Sequence, residues 1–130
     1  MRLGAFINSG KWRDVYEHPD NPAYVIKVVN PRREAQQTLL RDGINPNRNE
    51  WEMWQRLKET TLAVHLCPCV SITNNGRCLV MVRAEGVDTE RSDTLPPAVT
   101  AMLDGSDLNM SGNWGILNER PVLIDYGNTK

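Results

Sequence analysis

The first third of the chain alternates short apolar runs with turn-forming residues. Residues 15–16 precede a stretch rich in Pro, Asp and Asn at residues 18–22, and a β-branched run follows at residues 24–29. Apolar runs bounded by such residues are typical of strands joined by tight turns. The pattern therefore predicts an antiparallel hairpin, followed by a polar connection over residues 31–48 that holds a short helix at residues 34–40.

The hydrophobic period changes in the middle of the chain. Trp51, Trp54 and Leu57 recur at three-residue spacing. This spacing predicts a helix with one apolar stripe over residues 50–59, and Asn49 is its expected N-cap. We expect this helix to be the main one of the fold.

A second hairpin is predicted after this helix. Residues 70–73 and 77–82 flank the sequence Asn74-Asn75-Gly76. Asn-Gly readily takes the positive φ angles of a type I′ turn, so this is the predicted turn type. Further along, Pro96 and Pro97 can begin a short helix that ends near residue 103.

The last elements predicted are two short strands, at residues 114–117 and 122–125, which residues 118–121 join. The whole order of elements predicts the α+β class, with an antiparallel sheet plus one main helix. Two independent cores would both be marginal in 130 residues, so we expect a single domain over residues 1–130.

Composition and charge narrow the function classes. The 15 basic and 16 acidic residues give a net charge of -1, so no global field attracts nucleic acid or an anionic membrane. The sequence contains no long apolar run of the kind that spans a membrane, and its N-terminal apolar run is too brief for a signal peptide. We therefore expect a cytoplasmic protein with no membrane partner, and a nucleic-acid partner is unsupported by the sequence.

Three cysteines, Cys67, Cys69 and Cys78, form an odd set that favours reduced thiols. His65 lies close to the first two, but no second ligand pair completes a tetrahedral zinc site. We interpret the cysteines as small buried side chains on strands, with metal binding as the alternative.

Charged residues in apolar surroundings are the first candidates for chemistry. Lys27 lies inside the β-branched run, where an ammonium group costs free energy unless an anion pairs with it. The alternative is a Lys on the solvent face of an edge strand. Glu50 and Glu52, two positions apart on the predicted helix, are the candidate partners, and the apolar spacing after Glu50 favours that residue.

A family resemblance begins at the N-terminus. Residues 7–16, with Gly10 at the centre, an aromatic residue two positions later and Val-Tyr on the return strand, are similar to the glycine-rich loop of protein kinases. Asn8 and Arg13 stand where the family has its other two glycines. Taken alone, the segment favours a plain hairpin turn.

The more specific motifs lie near the C-terminus. Asn113 in a Ser-Gly-Asn sequence is followed twelve residues later by Asp125-Tyr126-Gly127. Kinase-like phosphotransferases carry such a metal-binding Asn and an Asp-aromatic-Gly motif after a short hairpin. The segments from Gly10 to Val28 and around Asn113 most resemble the Ser/Thr kinase domains encoded by short-tailed phages of enteric bacteria.

This resemblance implies a kinase-like N-lobe over residues 1–82 and a vestigial C-lobe over residues 83–130, which comprises a hinge, a short helix and a hairpin with the catalytic and metal motifs. It also implies ATP and Mg²⁺ as cofactors and an origin in a phage or prophage. The implied site residues are Lys27, Glu50 and Asp107 for catalysis, Gly10, Lys27 and Met81 for the nucleotide, and Asn113 and Asp125 for the metal.

Two departures weaken the enzymatic implication. Asp107 lies six residues before Asn113, where the family has five, and only Asn128-Thr129-Lys130 follow the Asp-Tyr-Gly motif. We therefore interpret the chain as a pseudokinase that binds and modulates or inhibits a bacterial host protein, with weak or no phosphotransfer. The alternative is an active Mg·ATP-dependent Ser/Thr protein kinase. A homodimer that covers the underside of the catalytic loop is a further expectation.

Overall fold

A computed structural model describes residues 1–9, 13–86 and 114–126. Most of these residues belong to strands and helices. The strands are β1 (Phe6–Ser9), β2 (Asp14–Glu17), β3 (Tyr24–Val28), β4 (Cys69–Ile72), β5 (Cys78–Val82), β6 (Glu85–Gly86), β7 (Trp114–Leu117) and β8 (Arg120–Leu123). The helices are α1 (Glu34–Arg41), α2 (Pro46–Leu57) and a short 3-10 helix at Thr61–His65.

The strands form two antiparallel sheets. Five strands follow the order β1-β2-β3-β5-β4, and three follow the order β6-β7-β8. β3 is the middle strand of the larger sheet, and its Lys27 lies opposite Val15 on β2 and Leu79 on β5. The α+β class, with an antiparallel sheet plus one main helix, is therefore confirmed, and Lys27 lies on a central strand rather than at an edge.

Apolar side chains cover both faces of the larger sheet. On one face, Val25, Leu79 and Met81 pack with Met53 and Leu57 of α2 in the main core. On the other face, a smaller cluster comprises Ile26, Val28, Cys78 and Val80. Because side chains alternate along a strand, Lys27 shares the face of Val25 and is directed towards α2.

The start of the main helix differs from the prediction. Asn45, not Asn49, is the N-cap, and its side chain accepts hydrogen bonds from the backbone N–H groups of Asn47 and Arg48. Pro46 follows in the first turn, where its fixed φ angle suits a helix and its missing N–H costs nothing. The apolar stripe begins only at Trp51, so periodicity alone placed the start several residues too late.

The two hairpin turns also differ from their predictions. At residues 74–76 only Gly76 has a positive φ, of 72°, so the predicted type I′ turn is wrong and the backbone turns before Gly76. The β7–β8 hairpin instead has φ angles of 53° and 66° at Asn118 and Glu119, as a type I′ turn requires. The connection between the two strands is therefore this two-residue turn and not the predicted one at residues 118–121, so β8 begins earlier than predicted, at Arg120.

The remaining elements divide into three groups. The predicted short helix is confirmed as α1, which extends one residue further than expected, to Arg41. β1, β6 and the 3-10 helix carry no clear apolar period, and the sequence did not predict them. The helix predicted near residues 96–103 lies outside the described residues.

Within residues 1–9, 13–86 and 114–126, none of the helices has the length and apolar character that a membrane span requires.

Candidate functional site

Four charged side chains meet between the central strand, the main helix and the end of β8. Lys27 Nζ lies 2.7 Å from Glu50 Oε1, and the ammonium also donates to the backbone oxygen of Ile124. Arg13 joins Glu50 to Asp125, so the four charges form one continuous ionic network. Its two cations and two carboxylates have a net charge of zero.

Glu50 is the centre of this network. Its Oε1 accepts hydrogen bonds from Lys27 Nζ at 2.7 Å and from Arg13 Nη1 at 2.9 Å. Its Oε2 accepts from Arg13 Nη2 at 3.3 Å and from the backbone N–H of Tyr126 at 2.6 Å. A carboxylate with 0% exposure is tolerated only when donors satisfy it in this way.

The same contacts set the ionisation of Glu50 and Arg13. Burial alone would raise the pKa of Glu50, but the charges of Arg13 and Lys27 and their hydrogen bonds lower it to about 2. Burial would lower the pKa of Arg13, yet Glu50 and Asp125 together raise it. Arg13 and Glu50 are therefore both charged at neutral pH.

Asn47 fixes the first turn of α2 against the sheet. Its side-chain amide donates to three backbone oxygens, those of Lys27 at 3.1 Å, Gly76 at 3.1 Å and Arg77 at 2.9 Å. Its Oδ1 accepts from Arg13 Nη1 at 3.2 Å. Asn47 thus positions Glu50, one turn later on the helix, over the central strand.

The terminal hairpin brings Asp125 to the same place. The backbone N–H of Cys67 donates to the oxygen of Leu123 at 2.8 Å, and the hydroxyl of Tyr126 donates to the oxygen of Cys67 at 2.6 Å. Tyr126 is fully buried, and burial raises the pKa of its hydroxyl. These anchors on both sides of Asp125 hold its carboxylate beside Arg13, whose Nη2 lies 2.6 Å from Oδ1.

Comparison with known protein families shows the family of this chain. Residues 3–109, most of its 130 residues, match the model of the family described as PhoP regulatory network protein YrbL. The chain belongs to the YrbL family. No curated protein matches this YrbL-family chain.

Solved structures of larger proteins are similar to the YrbL-family chain. A gentamicin complex of APH(2″)-IIa is 21% identical, with a TM-score of 0.44, and the match covers 76% of this chain and 29% of that one. A streptomycin–ATP complex of APH(2″)-IIa is 19% identical, with a TM-score of 0.43, and the match covers 79% of this chain and 31% of that one. ADP-bound aminoglycoside phosphotransferase APH(2″)-Ib is 18% identical, with a TM-score of 0.44, and the match covers 79% of this chain and 32% of that one. The YrbL-family chain thus spans about a third of these proteins, and such low TM-scores do not bear on its chemistry.

The structure brings together three of the residues predicted for the site of this YrbL-family chain. They are Lys27, Glu50 and Asp125. Glu52, the rival of Glu50, is exposed on another face of α2. Met81 is buried in the main core on β5. The other predicted residues, Gly10, Asp107 and Asn113, lie outside the described residues, so their roles stay predictions.

Sequence reasoning missed three residues of the site, namely Arg13, Asn47 and Tyr126. The sequence pattern assigns Arg13 only to the position of a loop glycine, and it predicts neither the contact of Asn47 with Arg13 nor that of Tyr126 with Glu50. A cation in place of a glycine, directly before an apolar strand, was the available signal for Arg13. The Asn47 side chain donates to backbone oxygens, and Tyr126 binds Glu50 through its own backbone N–H. Contacts of this kind leave no local pattern in the sequence.

The described residues of the YrbL-family chain do not fit a divalent metal ion. The acceptor oxygens of Glu50 are engaged by four donors, and Oδ1 of Asp125 is paired with Arg13. Within the described ranges, no group of three or more His, Cys, Asp or Glu side chains could hold a metal. A metal at Oδ1 of Asp125 therefore requires Arg13 to move first.

The cysteines are buried and free, as interpreted from the sequence, but Cys67 lies before β4 and not on a strand. The Cys67 thiol donates to the backbone oxygen of Val82 at 3.0 Å, and the Cys69 sulfur lies 3.4 Å from the Tyr126 hydroxyl. Burial raises the pKa of both thiols to about 12, so both are protonated and unreactive at neutral pH.

Proposed function

We propose that this YrbL-family chain is a kinase-like regulatory protein that acts by binding a bacterial partner protein, with weak or no phosphotransfer. The single observation that supports this is the closed network of Arg13, Lys27, Glu50 and Asp125. Phosphotransfer in kinases needs the Lys–Glu pair and also a carboxylate that is free to hold Mg²⁺. Here Oδ1 of Asp125, the candidate metal carboxylate, is already paired with Arg13.

The family description suggests where such a partner acts. Because the family is described as a PhoP regulatory network protein, we place the partner in that network. The resemblance to phage kinase domains adds the narrower proposal of a phage or prophage protein that inhibits a host protein. A cytoplasmic location and a homodimer are parts of the same proposal.

An active Mg·ATP-dependent Ser/Thr kinase is the second candidate. The ion pair between Lys27 and Glu50 favours it, because kinases use this pair to orient the nucleotide phosphates. In that case Gly10 and Met81 would contact the nucleotide, and Asn113 and Asp125 would hold Mg²⁺. Asp107 would act as the base.

A paired measurement separates the two candidates. Purified protein is incubated with Mg²⁺ and γ-labelled ATP, alone and with a general protein substrate, and label transfer is counted. In bacteria, a PhoP-dependent reporter is measured with and without expression of the chain. Both assays compare the wild type with Asp125→Asn and with Asp42→Asn, which removes an exposed carboxylate that is not part of the network.

We expect background label transfer for all three proteins and one common change in the reporter. Label transfer and a reporter change that both disappear only in Asp125→Asn would support the kinase instead. A reporter that responds to none of the three proteins would contradict regulation in the PhoP network.

A further inference from the structure

Arg13 has no part in the phosphotransfer chemistry of the kinase candidate, yet it is one of the most constrained side chains of the site. It directly precedes β2, which begins at Asp14. Although it is a cation, it is only 4% exposed. Its guanidinium donates to Asn47 at 3.2 Å, to Glu50 at 2.9 and 3.3 Å, and to Asp125 at 2.6 Å.

The position of this guanidinium conflicts with a metal ion. Mg²⁺ binds a carboxylate oxygen at about 2.1 Å. Arg13 Nη2 already lies 2.6 Å from Oδ1 of Asp125 and brings a full positive charge to it. A divalent ion at that oxygen would meet the guanidinium at close range, so contact repulsion and charge repulsion both oppose the two cations being there together.

The two ends of the Arg13 bridge differ in exposure. The Glu50 side chain is 0% exposed, whereas the Asp125 side chain is 39% exposed. Water screens the second ion pair much more than the first. The bridge is therefore expected to open at Asp125 while Arg13 keeps its contacts with Glu50.

We propose that Arg13 acts as a resident cation that excludes divalent metal ions from Asp125. The site then has a closed arrangement, in which Arg13 pairs with Asp125, and an open one, in which Asp125 is available to a metal. This inference rests on the proposed function, since it gives a physical reason for weak phosphotransfer.

Direct metal binding tests the proposal without any enzymatic readout. Mn²⁺ is titrated into the full chain, and binding is followed through the relaxation rate of water protons. Arg13→Gln removes the guanidinium, and Arg33→Gln is the matched control. Arg33 pairs with Asp14 instead, so the control removes the same charge without touching Asp125.

We expect Arg13→Gln to bind Mn²⁺ at least about tenfold more tightly than the wild type, because a neighbouring positive charge is gone. Arg33→Gln should bind like the wild type. Adding Asp125→Asn to Arg13→Gln should abolish the gain. Equal Mn²⁺ affinity in the wild type and Arg13→Gln, or a gain that survives the loss of Asp125, overturns the proposal.

Arg13→Gln leaves a buried carboxylate with fewer donors, so folding must be checked by thermal melting. If it does not fold, Arg13→Lys takes its place, because one ammonium keeps a charge near Glu50 but cannot span both carboxylates. A folded Arg13→Lys with unchanged Mn²⁺ affinity also overturns the proposal.

The outcomes also separate this proposal from the proposed function. A gain of Mn²⁺ binding in Arg13→Gln, together with a reporter that ignores the chain, supports metal exclusion and contradicts the regulatory function. Unchanged Mn²⁺ binding together with a responsive reporter contradicts metal exclusion and supports the regulatory function.

Discussion

Glu50 and Asp125 are two carboxylates that share one guanidinium and differ in almost everything else. Glu50 is 0% exposed and accepts four hydrogen bonds, while the Asp125 side chain is 39% exposed and receives Arg13 at one oxygen. A buried charge is tolerated only inside a complete set of partners. Glu50 thus contributes to the stability of the fold, whereas Asp125 is the end of the network that can exchange partners.

The largest expected effect comes from neutralising the buried end. Glu50→Gln leaves Arg13 and Lys27 buried with only the half-exposed Asp125 as a counter-charge. Removing one partner of a buried ion pair costs about 3–5 kcal/mol. We expect the free energy of unfolding, measured by urea denaturation, to fall by that order.

Glu52→Gln is the matched control, because Glu52 lies two positions away on α2 and is exposed. Its unfolding free energy should stay within about 0.5 kcal/mol of the wild type. Equal effects at the two positions would contradict the distinction between the paired and the solvated glutamate.

The second effect is a dependence of stability on pH. The pKa of Glu50 is lowered to about 2 in the folded protein from 4.5. The unfolded chain therefore binds more protons between these values, and stability is lost as pH falls through that window. The loss is on the order of 3 kcal/mol.

Unfolding free energies measured from pH 7 down to pH 2 check this. Asp14 also has a lowered pKa, opposed by burial but produced by hydrogen bonds from Ser9 and Arg33, so the wild type alone does not isolate Glu50. The loss of stability below pH 4.5 should be smaller in Glu50→Gln than in the wild type. Parallel curves would show that Glu50 does not titrate abnormally.

The contrast between the two ends also indicates what could be read from the sequence. Lys27 was recognised because an ammonium in a β-branched run requires an anion, and Glu50 was preferred to Glu52 because of the apolar spacing that follows it. Both inferences use local periods of strands and helices. The class of the fold and the residues that meet on α2 and β3 were therefore predictable.

Arg13 was not predictable in the same way. Its partners Glu50 and Asp125 are 37 and 112 residues away in the chain, and no local period reports such distances. The predictions of the turns were wrong for a related reason. Asn75-Gly76 and Asn118-Glu119 both permit positive φ, and the pairing of the flanking strands decides whether one or both residues adopt it.

A third and smaller effect concerns the helix start that presents Glu50. Asn45→Ala removes the N-cap of α2 and a hydrogen bond of 3.2 Å to the oxygen of Gly76, with all four charges kept. We expect a loss of about 1 kcal/mol in the free energy of unfolding. Asn49→Ala, inside the helix, should cost clearly less, and the reverse order would contradict the observed cap.

The smallest effect is expected at the exposed end. Asp125→Asn keeps the shape of the side chain and a carbonyl oxygen that can still accept from Arg13, while Glu50 continues to neutralise the buried cations. Because water screens a pair that is 39% exposed on the Asp125 side, the free energy of unfolding should fall by no more than about 1 kcal/mol. Urea denaturation beside Glu50→Gln measures the contrast directly. A loss as large as that of Glu50→Gln would mean that Asp125 is a structural carboxylate, and the site would then have no end at which partners exchange.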